Sequence, residues 1–352
     1  MARSVVSGGV VRSTLLRDPR LEFMTPPPEP RGPRSDPSGA EASPRRLTGI
    51  ANLLGALRNL GLLGTHHSDD ARLVRYQADD GQSIPVRITG QGPPVVLVHG
   101  LGCSHKHWMP VAKRLARKHR VFAWDARGHG QCRTEPDAPI TLERLALDLH
   151  QLMEHFQLDG VTLVGHSMGA LTVMQYLSRF GPARVAAVAV VVDQSPRIVT
   201  DDHWRLGLFG GCSADMLGNL IAGARTNLTE TVLHQVEAMA GDWLRLRLAA
   251  QAPLGRLLRS WLNHVEVAPL LDLAESLAAA DFRSLMPRLD LPLLVVLGAR
   301  SPHYAGLPLD AWYREAAPHA SVSIYPRAGH SPHYTEPARF ARELLGLISK
   351  RS

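Results

Sequence analysis

The chain has 352 residues, 45% hydrophobic and 20% charged, the balance of a globular protein with a sizeable core. No stretch approaches the roughly 18 uninterrupted apolar residues of a membrane span, so a spanning protein is excluded and a soluble one is expected. The net charge of +7 comes from 35 Arg and four Lys spread along the chain, without the one-faced cluster or aromatic–basic interleave of a nucleic-acid footprint, so no nucleic-acid partner is expected.

In chain order, residues 1–46 read as a disordered tail. Thr25–Pro44 carries seven prolines among Gly, Ser and charges, too little apolar area to offset the entropy of ordering. Met1–Arg17 holds Arg3, Arg12 and Arg17, several serines and no acid. That composition fits an organelle transit peptide and fits equally a start assigned too far upstream. Residues 47–70 are a linker or a short helix, because Gly55, Gly61 and Gly64 interrupt the apolar run. Cys103, Cys132 and Cys212 form neither a disulfide framework nor a zinc pattern, and no metal site is expected. Reduced thiols in the cytoplasm are the expectation, with import into an organelle as the alternative.

Residues 71–352 read as one domain. Arg72–Gln77 and Ser83–Ile88 are strand-like and flank the Asp80-Gly81 turn signal. Val95–Val98 is a continuous apolar strand, followed by a helix near Trp108–Lys118 and a strand at Val121–Trp124. Leu142–Phe156 repeats its apolar residues at helical spacing. Val161–Val164 leads into a Gly-rich turn and a helix over Met168–Arg179, and Val185–Val192 is the next strand. Leu293–Leu297, a helix after Pro308, Val322–Tyr325 and a helix over Thr335–Ile348 complete the pattern. Buried strands alternating with helices predict an α/β fold, a mostly parallel central sheet with helices on both faces. Between them, about 196–288, the alternation stops in a Leu-, Ala- and Arg-rich segment. It predicts a helical cap over the carboxyl ends of the strands, where ligands of open α/β sheets bind.

The segment Val161-Thr162-Leu163-Val164-Gly165-His166-Ser167-Met168-Gly169 carries the strongest chemical signal. A strand, then Gly-x-Ser-x-Gly, then a helix makes a nucleophile elbow, in which Ser167 sits on a sharp, strained turn. Side chains at Gly165 and Gly169 would collide with the neighbouring strand or helix, and the helix aims its first amides at a reacting oxyanion.

Three further motifs stand at strand ends: His99-Gly100-Leu101-Gly102, Asp125-x-Arg127-Gly128-His129-Gly130, and Gly329-His330-Ser331. With these four motifs in order, residues 83–349 resemble the α/β-hydrolase family. The resemblance is to serine esterases whose catalytic acid follows the strand after the nucleophile strand. It implies Ser167 as nucleophile, His330 as its base, and the amides of Leu101 and Met168 as oxyanion donors. His99 is expected to brace the oxyanion loop, His129 to order its turn and His166 to pack beside the elbow. The family's usual acid position holds Ser301, in Gly298-Ala299-Arg300-Ser301-Pro302. Asp193 in Val192-Asp193-Gln194-Ser195-Pro196 is therefore assigned as the acid, with Asp310 and Asp290 as runners-up, and Ser301 is expected to be dispensable. Against this, Asp193 could merely cap the turn into the cap.

The triad with no metal or nucleotide motif predicts a cofactor-free carboxylesterase acting on a small-molecule ester with an apolar acyl or alcohol group. Trp204 and Trp243 are the candidate substrate-lining residues, with the core of the cap as the competing assignment. A cofactor-free haloperoxidase-like perhydrolase, a carbon–carbon bond hydrolase and a degenerate hydrolase acting as a receptor or scaffold are the other readings.

Overall fold

Apolar runs with few polar interruptions become the inner strands of one eight-stranded sheet. The computed structural model describes residues 71–133, 139–239, 256 and 268–349; the tail at 1–46, the segment at 47–70 and Trp243 lie outside the described residues. The strands are β1 (Arg72–Gln77), β2 (Ser83–Thr89), β3 (Pro94–Val98), β4 (Arg120–Trp124), β5 (Val161–His166), β6 (Val185–Val192), β7 (Leu293–Gly298) and β8 (Ser321–Tyr325). Their order is β1-β2-β4-β3-β5-β6-β7-β8. The first pair is an antiparallel hairpin across Asp80-Gly81, with Arg72 opposite Ile88, and β2 runs antiparallel to β4; every later pairing is parallel.

Alternation along each strand fills two cores. Val96, Val98, Phe122, Trp124, Leu163 and Val295 face one, and Val95, Leu97, Val121, Ala123, Val164 and Val296 face the other. Helices α2 (Leu142–His155) and α3 (Met168–Phe180) cover the first, while α1 (Met109–Leu115) and the C-terminal helix cover the second. The apolar face expected of α2 is buried from Leu142 to Met153, with Phe156 half-buried at its end, and the Thr141 hydroxyl caps the helix by accepting from the Arg144 amide at 3.1 Å.

Within the segment expected to form a cap, α4 (Ala214–Met239) and α5 (Ala268–Ala279) are joined by Arg225, which pairs with Asp272 at 2.7 Å and Glu275 at 2.9 Å. The Ser276 hydroxyl on α5 accepts from the Leu142 amide at 2.9 Å, seating α5 on the start of α2. After β7 come α6 (Leu309–Ala316), α7 (Pro332–Thr335) and α8 (Pro337–Ser349). The sequence predicts one final helix from Thr335; the structure breaks it at Glu336, since Pro337 lacks an amide hydrogen and starts α8 instead. Among the described residues no helix is long and apolar enough to cross a membrane.

The order β4-β3-β5 positions the site. The chain leaves β3 toward one edge and β5 toward the other, so a crevice opens beyond their carboxyl ends. The loops after β3 and β5 meet there.

Candidate active site

Between the last residue of β5 and the first of α3 stands a single residue, Ser167. Turning the chain in so short a span forces it to φ 53°, ψ −122°, outside the regions open to most side-chain-bearing residues. The neighbours hold the strain: the Ser167 amide donates to the Val192 carbonyl at 3.2 Å and its carbonyl accepts from the Ala170 amide at 2.8 Å. A Cβ on Gly165 would stand 2.5 Å from the Gly169 carbonyl oxygen, and one on Gly169 would stand 2.2 Å from that of Val98. Both positions therefore need glycine, as the motif implies.

The loop after β3 lies directly against the serine. A Cβ added to Gly100 would be 3.1 Å from the Ser167 Cβ. His99 is fully buried and accepts from the Ala126 amide on Nε2 at 3.0 Å, which leaves Nδ1–H to donate to the Gly100 carbonyl at 2.9 Å. It braces the loop, as expected. Leu101 projects into solvent, and the Cys103 amide closes the turn on the Gly100 carbonyl at 3.1 Å. Across from it, Met168 opens α3, and its amide stands at the positive end of the helix dipole, ahead of the Ala170 amide that already donates to the Ser167 carbonyl.

The Asp125–Gly130 turn supports this loop. The Asp125 Oδ1 accepts from the His105 amide at 2.6 Å and from its Nδ1 at 2.8 Å, while Oδ2 accepts from the Gln131 amide at 2.9 Å. Burial would raise the Asp125 pKa, but the hydrogen bonds and charge of His105 outweigh it and the carboxyl titrates below its ordinary value. His129 donates from Nδ1 to the Arg127 carbonyl at 2.7 Å, and Arg127 forks onto buried Asp148 at 2.6 and 2.8 Å.

On the other side of the serine, His330 follows β8 and sets its Nδ1 2.8 Å from Asp193 Oδ2. A carboxylate accepts only, so Nδ1 carries the proton and Nε2 is left as the basic nitrogen. Asp193 is fully buried at the end of β6 with φ 56°, and its amide donates to the Val296 carbonyl at 2.8 Å. Its Oδ1 accepts from the Gly298 amide at 2.9 Å, and its Oδ2 also accepts from the Ser301 hydroxyl at 2.5 Å. Ser301 is therefore no bystander. The sequence expects Ser301 to be dispensable, yet its hydroxyl shares Asp193 Oδ2 with the His330 ring. Of the runners-up, Asp310 faces Arg314 at 4.0 Å and Asp290 is exposed; neither hydrogen-bonds His330. Among the described residues no hydrogen bond joins the Ser167 hydroxyl to the His330 ring, a contact that in ligand-free enzymes often tightens only with substrate.

Two more histidines flank His330. His166 donates from Nε2 to the His330 carbonyl at 2.8 Å, tying the elbow to the histidine loop. The His303 ring stands edge-on to His330 at 4.3 Å; burial first, and His330 second, push its pKa down to about 4.

Trp204 is not brought to Ser167. It is 4% exposed, its indole N–H donates to the Arg197 carbonyl at 3.0 Å, its ring meets Trp312 at 5.2 Å, and Arg283 lies 5.1 Å over its face. The cleft it lines, with Asp202, Arg283 and Trp312, contains none of Ser167, Asp193 or His330. The competing assignment, packing, accounts for it. Trp204→Ala is expected to cost about 3–5 kcal/mol of stability through the cavity left behind, with the rate ratio between long and short acyl esters unchanged. Denaturant melts and ester kinetics read the two effects separately. Trp243, the other candidate, lies outside the described residues.

The buried imidazoles set an acid limit. Burial holds His99 at a pKa of about 4, and burial with repulsion from His99 holds His129 at about 3. Both folded values lie below the ordinary value near 6.5, so only the unfolded chain takes up these protons as pH falls below about 6.5. Their full stabilising contribution is present above that pH and is lost on the way down to about 4. The melting temperature is expected to fall steadily from pH 6.5 to 4.5, and a flat profile would contradict the buried neutral state.

A family model described as alpha/beta hydrolase fold matches residues 93–337. The chain is 30% identical to a pimeloyl-[acyl-carrier protein] methyl ester esterase of Chromobacterium violaceum, over 74% of this chain and 95% of the relative. It is 26% identical to a non-heme chloroperoxidase of Kitasatospora aureofaciens, over 77% of this chain and 98% of that one. Among solved structures, an esterase from Exiguobacterium antarcticum superposes with a TM-score of 0.63 at 21% identity, covering 78% of this chain and 99% of the other, a likeness of fold.

Proposed function

The chain belongs to the α/β-hydrolase family and is an enzyme of its ester-cleaving type, and from that premise we propose a serine carboxylesterase working through Ser167, His330 and Asp193. His330 Nε2 takes the Ser167 proton as Oγ attacks the ester carbonyl. The amides of Leu101 and Met168 receive the oxyanion, a stabilisation worth roughly 3–4 kcal/mol per donor in other enzymes. Asp193 holds the His330 tautomer and stabilises the imidazolium; the same ring then protonates the departing alcohol. Water, deprotonated by His330, cleaves the acyl-enzyme and frees the carboxylic acid.

One observation carries the reading: the 2.8 Å contact between His330 Nδ1 and a fully buried Asp193, at the crevice where the strained serine stands. The relative named for a methyl ester supports an ester substrate, with the apolar acyl or alcohol group expected from the cap. A second reading, perhydrolase activity, is favoured by the chloroperoxidase relative.

Nitrophenyl esters of increasing acyl length, run beside a halogenation assay with acetate and hydrogen peroxide, separate the two. Ester hydrolysis is expected to exceed peroxide-dependent turnover at every chain length. Faster halogenation than hydrolysis would reverse the assignment.

A further inference from the structure

Directly behind the nucleophile lies a second cluster that the esterase mechanism does not use. We propose that His107, His166 and His333 form a binding site for one zinc-like divalent transition-metal ion. One ring nitrogen of each lies within 4.8 Å of one from each of the others. All three side chains are buried, with ring centroids 5.1 Å apart for His107 and His166 and 4.6 Å apart for the other two pairs.

Their hydrogen bonding is incomplete, as it is at other buried nitrogens such as His129 Nε2, but among the described residues only here do three such rings converge. His107 Nε2, His166 Nδ1 and His333 Nδ1 have no partner, although buried polar nitrogens almost always find one. A cluster kept for packing alone would be served better by Phe or Leu. Three buried imidazoles, each with an unpaired nitrogen, are a donor set for a cation.

The chemistry of the set agrees. His166 donates from Nε2 to the His330 carbonyl at 2.8 Å, so its proton is fixed there and Nδ1 presents a lone pair. A backbone carbonyl on the far nitrogen is how protein imidazoles are usually oriented toward a metal. His333 Nε2 and His107 Nδ1, the other nitrogens of those two rings, stand 3.4 Å apart, too far for a strong hydrogen bond, so that contact does not fix either tautomer against ligation. Burial lowers the proton affinity of all three rings and keeps them neutral, the form that ligates metal. Trp108 at 4.1 Å and Phe340 at 6.0 Å from the His333 ring supply an apolar outer wall. Three imidazoles suit zinc and leave a fourth position for water or hydroxide.

Each ligand comes from a segment bordering the active site: His107 from the turn leading out of the oxyanion loop, His166 beside Ser167, His333 three residues past His330. A bound ion would tie these segments together.

The test uses untagged full-length protein, stripped with a chelator and equilibrated by dialysis with zinc chloride, then analysed for metal. One tightly held equivalent is expected, with a rise in melting temperature of about 5 °C at a hundredfold excess over Kd. His107→Phe and His333→Phe should each lose both the equivalent and the rise, while His150→Gln, outside the cluster, should keep them. X-ray absorption on zinc-loaded wild-type protein gives a reading that does not rely on the variants folding, and three imidazole ligands are expected. No tight equivalent in the wild type, an equivalent that survives both Phe substitutions, or a sulfur- or carboxylate-dominated shell overturns the site.

Discussion

Ser167→Ala is expected to lower ester turnover by about 10⁶-fold in kcat, the scale seen when the nucleophile of a well-studied serine protease is removed. Covalent labelling by a fluorophosphonate probe should vanish with it. The fold should survive, because the variant keeps the backbone hydrogen bonds that hold the turn, Ser167 amide to Val192 and Ala170 amide to the Ser167 carbonyl. Alanine at φ 53° is no more strained than serine, so the melting temperature should stay within a degree or two of wild type. A remnant of activity over the uncatalysed reaction is also expected, since the amides of Leu101 and Met168 would still polarise a bound carbonyl. Labelling that persists in the alanine variant would place the nucleophile elsewhere.

What could be read from the sequence was whatever is local in it. The elbow announces itself because strand, strained serine and helix are contiguous, with Gly165 forced by the helix that follows it and Gly169 by the neighbouring strand. The hydrophobic runs gave the strands and their parallel character for the same reason, since inner strands are buried on both faces. Asp193 was readable as a carboxyl group at a strand end, yet its partners were not, because Gly298, Ser301 and His330 reach it from two later strand ends. Ser301 looked dispensable only because its neighbour in space was unknown. The histidine cluster was invisible for the same reason: its members stand on three separate segments with no motif spacing. Trp204 shows the opposite error. An aromatic residue in an insertion suggests a substrate wall, but whether its face meets ligand or Trp312 depends on packing that spacing along the chain does not record.

Asp193→Asn is expected to reduce kcat by about 10⁴-fold, the scale of the corresponding change in a well-studied serine protease, with little change in KM. The hydrogen bonds around the carboxylate say why. Its Oδ1 accepts from the buried Gly298 amide, which can only donate, so the oxygen of the new side-chain amide must stay on that side. The NH₂ group is then forced into the place of Oδ2, facing His330 Nδ1 at 2.8 Å and the Ser301 hydroxyl at 2.5 Å. The hydroxyl can rotate to accept; the imidazole must also become an acceptor on Nδ1, which moves its proton to Nε2. A ring protonated on Nε2 cannot take the Ser167 proton. The φ of 56° is no obstacle, because Asn tolerates the left-handed region as well as Asp, so the loss should appear in turnover and not in stability. Ser301→Ala should act through the same oxygen more weakly, lowering kcat roughly tenfold as one hydrogen bond to a charged group is lost. Ser301→Asp in the Asp193→Asn background should recover part of the rate by returning a carboxylate to the His330 side. Turnover at the wild-type rate in Asp193→Asn would remove Asp193 from the mechanism and leave His330 to act without an orienting acid.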